Sequence, residues 1–99
     1  MKTVRAHIAQ NPGIPAPPPD ATHALAWEPY GPSRSQWALA ALDASPEDDA
    51  VLLDGPPDMH PGDLLERVVG ALGYPVWLSS RIEVEDEFAY YVTPAGGGW

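Results

Sequence analysis

The hydrophobic period of this chain changes at Pro75, and that change constrains the fold more than any other feature of the sequence. Between residues 61 and 72 the apolar side chains recur at the spacing of a helix that is buried along one side. The side chains of this stripe are Leu64, Leu65, Val68, Val69 and Leu72. Pro61 suits a first helical position, while Gly73 and then Pro75 end the helix. The sequence therefore predicts a helix over residues 61–72.

Beyond Pro75, apolar and polar residues alternate, as in strands that bury one face. Residues 76–84 and 88–92 form two such runs, separated by the acidic segment Glu85-Asp86-Glu87, which suits a solvated turn. A three-residue turn places the large apolar side chains on one face and so fixes a register. The pairs in this register are Val84 with Phe88, Ile82 with Tyr90, and Ser80 with Val92. We therefore predict a C-terminal β-hairpin.

The first half of the chain contains three further patterns. Residues 3–9 and 22–28 alternate and predict strands. Residues 33–44 start with a capping-box pattern and continue as an alanine-rich run, which favours a helix, with a strand through Trp37, Leu39 and Ala41 as the alternative. Residues 50–54 are a continuous apolar run, typical of a strand buried on both faces.

These elements predict a single α/β or α+β domain over residues 1–99, with a small mixed sheet and the order β-β-α-β-α-β-β. Helix 61–72 would connect strand 50–54 to strand 75–84 by a right-handed parallel crossover. Five prolines within residues 11–20 predict an extended arm, either a stiff spacer or, through a PxxP pattern, a ligand for an aromatic groove. Residues 95–99 predict a flexible glycine-rich tail.

Charge is distributed unevenly along the chain, whose formal net charge is −9. Residues 43–99 hold twelve acidic side chains against two arginines, a net charge of −10. Such a surface repels phosphate backbones and attracts basic proteins, so we expect no direct contact with nucleic acid. Leu, Ile, Val and Phe together supply 20 of the 99 residues, so the core is thin and self-association is a further expectation.

Cysteine is absent, which excludes disulfides, thiolate metal sites and cysteine catalysis. The sequence has no signal-peptide pattern and no stretch long enough to span a membrane, so we expect a protein that does not contact membranes and lies in the cytoplasm or within a particle assembled there. Asp54, Asp58 and His60, with Asp63 at the helix start, are weak candidates for metal ligands because their spacing matches no known motif. We expect no cofactor and no catalytic residue.

The aromatic residues of the hairpin give the stronger functional signal. In the predicted register Arg81 lies opposite Tyr91, and Trp77 lies on the same face. Trp, Tyr and Arg dominate binding hot spots, although a covering helix would make this face a second core instead. The acidic residues of the hairpin and the terminal aromatic complete the predicted partner-binding set. These additional residues are Glu83, Glu85, Asp86, Glu87 and Trp99.

Composition and motifs together favour a non-catalytic, acidic protein-binding module. Our leading hypothesis is an adaptor or inhibitor, of antitoxin, immunity or anti-defence kind, that docks on a basic protein. One alternative is a structural subunit of a phage virion or secretion particle, contacting neighbouring subunits through its arm and tail. Another is a small metal-dependent enzyme that uses the loop of residues 54–60.

Overall fold

The computed structural model describes residues 3–11, 13–27, 36–45, 50–84 and 87–95, and the side chain of Glu87 is not included. The helices are α1 (Val4–Ala9) and α2 (Pro61–Leu72), and the strands are β1 (His23–Trp27), β2 (Gln36–Ala41), β3 (Val51–Asp54), β4 (Val76–Leu78), β5 (Ile82–Val84) and β6 (Glu87–Pro94). The α+β class and the C-terminal hairpin are confirmed, and the order of elements follows the predicted one in outline.

The strands form one six-stranded sheet in the order β3-β2-β1-β6-β4, with β5 also paired to β6. Each pairing between described strands is antiparallel, so the mixed sheet predicted from the sequence is wrong. The predicted parallel crossover is also wrong, because β3 and β4 lie at opposite edges with three strands between them. Helix α2 contacts both edge strands and so crosses the sheet from one side to the other.

Helix α2 begins and ends where the sequence predicts. Its apolar stripe faces the sheet, with Leu64 and Val68 fully buried. The His60 side chain caps the first turn by accepting a hydrogen bond from the Gly62 N–H at 3.0 Å. Gly73 ends the helix with φ +83°, a left-handed conformation that costs glycine little, and its N–H donates to Val69 O at 2.8 Å.

The strand predicted over residues 3–9 is wrong, because Val4–Ala9 is helix α1. Val4 and Ile8 are four residues apart, so their spacing fits one face of a helix as well as one face of a strand. Thr3 caps the helix through Oγ1, which accepts from the Ala6 N–H at 3.1 Å. The Val4 and Arg5 N–H groups donate to carbonyls just after β2, at 2.8 and 2.9 Å, and these bonds attach α1 to the sheet.

The helix predicted over residues 33–44 is wrong where the structure describes it, because Gln36–Ala41 is strand β2. This segment pairs with β1 so that Trp27 faces Trp37 and Leu25 faces Leu39. Trp37 and Leu39 are buried on the same side of the sheet. Burial of these large side chains outweighs the helix propensity of the alanines between them, which is a weak preference of under about 1 kcal/mol per residue.

The hairpin is confirmed, but the predicted three-residue turn and its register are wrong, because the reversal lies between the paired residues Val84 and Glu87. Val84 pairs with Glu87 and Ile82 with Ala89, whereas further along β6 Leu78 pairs with Val92. Residues 79–81 therefore lie opposite only two residues of β6, Tyr90 and Tyr91. The extra residue on the side of residues 79–81 makes this a β-bulge.

Ser79 holds this bulge through two hydrogen bonds to the Tyr91 backbone. The Ser79 N–H donates to Tyr91 O at 2.9 Å, and Ser79 Oγ accepts from the Tyr91 N–H at 2.8 Å. Because the bulge inserts one residue, it moves Ile82 to the opposite face of the sheet from Tyr90. The prediction that the large apolar side chains of the hairpin share one face is therefore wrong.

Apolar side chains are buried on both faces of the sheet. The first core lies under α2 and consists of Leu25, Trp37, Leu39, Leu64, Val68, Val76, Tyr90 and Val92. The second core, on the other face, consists of Ala21, Leu42 and Tyr91, with Val4, Ile8, Ile14, Ala24 and Ile82 packed against it. Helix α1 and the proline-rich arm cover this second core, and Tyr91 Oη donates to Pro15 O at 2.5 Å. The arm is thus part of the fold around residues 14 and 15.

Candidate functional site

Strand β3 is an exposed edge of the sheet. It pairs with β2 along one side, and the structure assigns no described strand to its other side. Consecutive strand residues point to opposite faces of the sheet. Val51 is 49% exposed and Leu52 is 55% exposed, so both faces of β3 are partly open to solvent. The prediction that residues 50–54 form a strand is confirmed for Val51–Asp54, but burial on both faces is wrong, because Val51 and Leu52 lie on opposite faces and both are exposed.

Acidic side chains outnumber basic ones on the surface of the described residues. Seven of them are exposed: Asp20, Asp43, Asp54, Asp58, Asp63, Glu66 and Glu83. Two of the described arginines already contact acids, since Arg5 lies 3.7 Å from Asp43 and Arg81 lies 2.8 Å from Glu83. These ion pairs are at least partly exposed, so each contributes under about 1 kcal/mol to stability, but each reduces the positive charge available to an incoming ligand.

The loop between β3 and α2 uses its polar groups structurally. Asp54 Oδ1 accepts a hydrogen bond from Gln36 Nε2 at 3.2 Å, which links β3 to β2. His60 Nδ1 caps α2. Among the described residues, no three His, Asp or Glu side chains are arranged to hold a metal ion. Asp54, Asp58, His60 and Asp63 therefore do not form a cluster that could bind a metal in this arrangement.

The structure separates the aromatic and cationic residues that the sequence analysis placed on one surface. Tyr91 is buried in the second core, and burial raises its pKa. The Arg81 guanidinium carbon lies 4.3 Å from the ring centroid of Phe88, whose ring packs against the first core on the other face. Trp77 remains 63% exposed. The predicted Trp77-Arg81-Tyr91 surface is therefore wrong as a single patch, because the bulge turns Arg81 away from Tyr91.

Among the acidic members of the predicted set, Glu83 is exposed and bound to Arg81 through Nε. Glu85, Asp86, Trp99 and the side chain of Glu87 lie outside the described part of the chain. The role predicted for these residues in partner binding stays a prediction.

A cleft of about 630 Å³ lies between the start of α2 and the bulge. Met59, Leu65, Trp77 and Tyr90 give it an apolar lining. Two polar groups at its border already have partners, since His60 Nδ1 accepts from Gly62 and Arg81 binds Glu83, whereas the buried Tyr90 Oη has none among the described residues. It therefore offers an apolar surface with few free polar groups to orient a ligand.

A smaller recess of about 190 Å³ lies beside the exposed β3 edge. Its lining includes Val51 of β3, Leu39 and Ala41 of β2, Leu72 of α2, and His23 of β1. His23 Nδ1 lies 2.8 Å from Thr22 Oγ1, and burial lowers the pKa of His23. This recess has a volume suited to one apolar side chain and adjoins β3, one of the two edges of the described sheet.

Adjacent tyrosines provide a matched test of the two cores. Tyr91 Oη donates to Pro15 O, whereas Tyr90 Oη is buried without a hydrogen-bond partner among the described residues. We expect Tyr91→Phe to lower the free energy of unfolding by about 1 kcal/mol, because Pro15 O loses its donor. Tyr90→Phe should leave it unchanged or raise it, because no bond is lost. Urea unfolding of both variants measures this difference, and equal losses would contradict it.

Comparison with protein-family models, with curated proteins and with solved structures gave no match to this chain. No described helix has the length and apolar character needed to cross a membrane.

Proposed function

We propose that this chain is a non-catalytic, acidic protein-binding module, an adaptor or inhibitor acting in the cytoplasm, which docks on a basic protein partner. One observation carries this proposal: an exposed apolar edge lies within the most acidic part of the chain. Val51 and Leu52 are each about half exposed on β3. Residues 35–66, which include β3, contain eight acidic side chains and no lysine or arginine.

Each part of this surface has a separate role in binding. The apolar side chains supply area that becomes buried on association, which is the main favourable contribution to binding. The acidic side chains raise the rate of encounter with a positively charged protein and disfavour negatively charged ones. An apolar edge alone would bind many partners and would promote aggregation, so the surrounding charge selects the class of partner.

The test is a selection of random peptides displayed on phage against the immobilised full chain. We expect the enriched peptides to carry net positive charge. Their affinity should fall as sodium chloride is raised from about 0.05 M to about 0.5 M, because salt screens exposed charges. Enrichment of neutral or acidic peptides, or affinity that does not depend on salt, would overturn the proposal.

A pair of charge-matched variants tests whether the acidic side chains within residues 35–66 are the ones that attract basic peptides. Asp58 and Asp20 are both exposed, but only Asp58 lies within residues 35–66. We expect Asp58→Asn to slow association of the selected peptides more than Asp20→Asn does, because nearby charges act mainly on the association rate. Stopped-flow fluorescence at low salt measures both rates.

A further inference from the structure

Resting on the function proposed above, we infer how the partner binds: a basic, extended segment of the partner pairs with β3 and extends the sheet by one strand. The backbone provides the first argument. In an antiparallel pair, alternate residues of a strand direct their N–H and C=O groups away from the neighbour. Strand β3 has β2 on one side only, so these groups are available to a peptide that adopts the extended conformation.

Side chains on the two faces of β3 provide the second argument. Val51 pairs with Leu39, on the α2 side, and there it borders the recess of about 190 Å³. Leu52 pairs with Ala38, so its side chain lies on the opposite face beside a small residue. An added strand would place one side chain against Val51, at the border of the recess, and the next side chain against Leu52 on the other face. Pockets for alternate side chains are what give specificity in this mode of binding.

The chemistry of the edge determines which occupant fits. Sheet edges that must not pair commonly carry lysine or proline, and β3, with the sequence Val51-Leu52-Leu53-Asp54, carries neither. Its only charged residue is Asp54, and the acidic run Glu47-Asp48-Asp49 lies just before it in the sequence. A second copy of this chain would bring the same negative charge to the edge. A strand flanked by lysine or arginine would instead neutralise it.

The test uses a fluorescein-labelled synthetic peptide that alternates valine with threonine between two pairs of lysines. A second peptide has the same sequence with N-methyl groups on alternate residues, which keeps its charge but blocks one edge of its backbone. We expect the full chain to bind the first peptide at least about tenfold more tightly than the second, as measured by fluorescence anisotropy. Hydrogen exchange at residues 51–54 should slow when the first peptide is added.

Leu52→Lys and Trp77→Lys give a matched pair of variants, since both remove an exposed apolar side chain and add one positive charge. Leu52 lies on β3 and Trp77 on β4, at the other edge of the sheet. We expect Leu52→Lys to weaken binding of the unmethylated peptide about tenfold and Trp77→Lys to change it less than about twofold. Urea unfolding of both variants checks that they retain the fold.

The outcomes separate this inference from the proposed function. Equal binding of the two peptides, with unchanged exchange at β3, would overturn strand addition while leaving binding of basic ligands intact. Failure to bind the unmethylated peptide would also overturn it, and the phage selection tests the proposed function independently. Sedimentation velocity tests whether a second copy of this chain, the other candidate occupant, pairs with the β3 edge. A wild-type dimer that becomes monomeric in Leu52→Lys would show that a second copy uses the edge, which would overturn the assignment of a basic partner.

Discussion

Replacing Trp37 by alanine is expected to lower the free energy of unfolding by about 3–5 kcal/mol, the usual loss when a buried tryptophan is truncated. Trp37 is fully buried at the centre of the first core, and its ring centroid lies 5.7 Å from that of Tyr90. Its Nε1 also donates to Pro56 O at 3.1 Å, which attaches the loop after β3 to the sheet. The substitution therefore removes packing and leaves a carbonyl without its donor.

Trp77→Ala is the matched control for this prediction. Trp77 is a tryptophan on a strand of the same sheet, but it is 63% exposed. We expect its truncation to change the free energy of unfolding by less than about 0.5 kcal/mol, as for most surface substitutions. Urea denaturation followed by far-UV circular dichroism measures both variants. Similar losses at the two positions would show that Trp37 is not at the centre of the core.

The parts of the fold that the sequence predicted well are those where several local signals agree. Helix α2 has an apolar stripe, a proline at its start and a glycine at its end, and these three signals define the same twelve residues. The strands at residues 22–28 and 50–54 were also predicted, because short alternating runs and short continuous apolar runs fit a strand better than a helix.

Strand β2 was predicted only as the alternative to a helix, because local propensity and long-range pairing favour different structures there. A signal was present in the sequence, since residues 24–27 read Ala-Leu-Ala-Trp and residues 37–40 read Trp-Ala-Leu-Ala. An antiparallel pair turns these mirrored segments into matched partners, Trp with Trp and Leu with Leu. Cross-strand matching of this kind would have favoured the strand over the helix.

The bulge at residues 79–81 could not be predicted from periodicity, because a strand pattern carries no mark of one inserted residue. Its effect on the candidate site is large, since it reverses the face of Arg81 and Ile82 relative to the unbroken alternation. The exposed edge was missed for a related reason. A continuous apolar run has the same composition whether the strand is central or at an edge, and only the order of strands distinguishes the two.

The two cores explain how a chain with few large aliphatic residues folds at all. Its apolar side chains are divided between two faces, and the second face has few large residues of its own. Residues at the N-terminus supply the rest, since Val4, Ile8 and Ile14 pack against Leu42 and Tyr91. The proline-rich segment therefore has a structural role around Ile14 and Pro15, which the interpretations as a spacer or as a PxxP ligand do not include.

Removal of residues 1–15 is accordingly expected to lower the free energy of unfolding by about 3 kcal/mol, roughly half of what full burial of three aliphatic side chains would contribute. The deletion exposes the second core and removes the acceptor of Tyr91 Oη. It also removes the N–H donors of Val4 and Arg5 that bind Ala44 O and Leu42 O. Urea unfolding measures the loss, and unchanged stability would show that the arm is a free appendage.

A matched pair of substitutions in the intact chain keeps this prediction testable if the shortened chain does not fold. Ile14 packs against the second core, whereas Ala16 is exposed two residues further along the same arm. We expect Ile14→Ser to lower the free energy of unfolding by about 1–2 kcal/mol, in proportion to its partial burial, and Ala16→Ser to change it by less than about 0.5 kcal/mol. Equal effects at the two positions would mean that the arm does not cover the sheet in solution, and the second core would then need another partner to keep it from water.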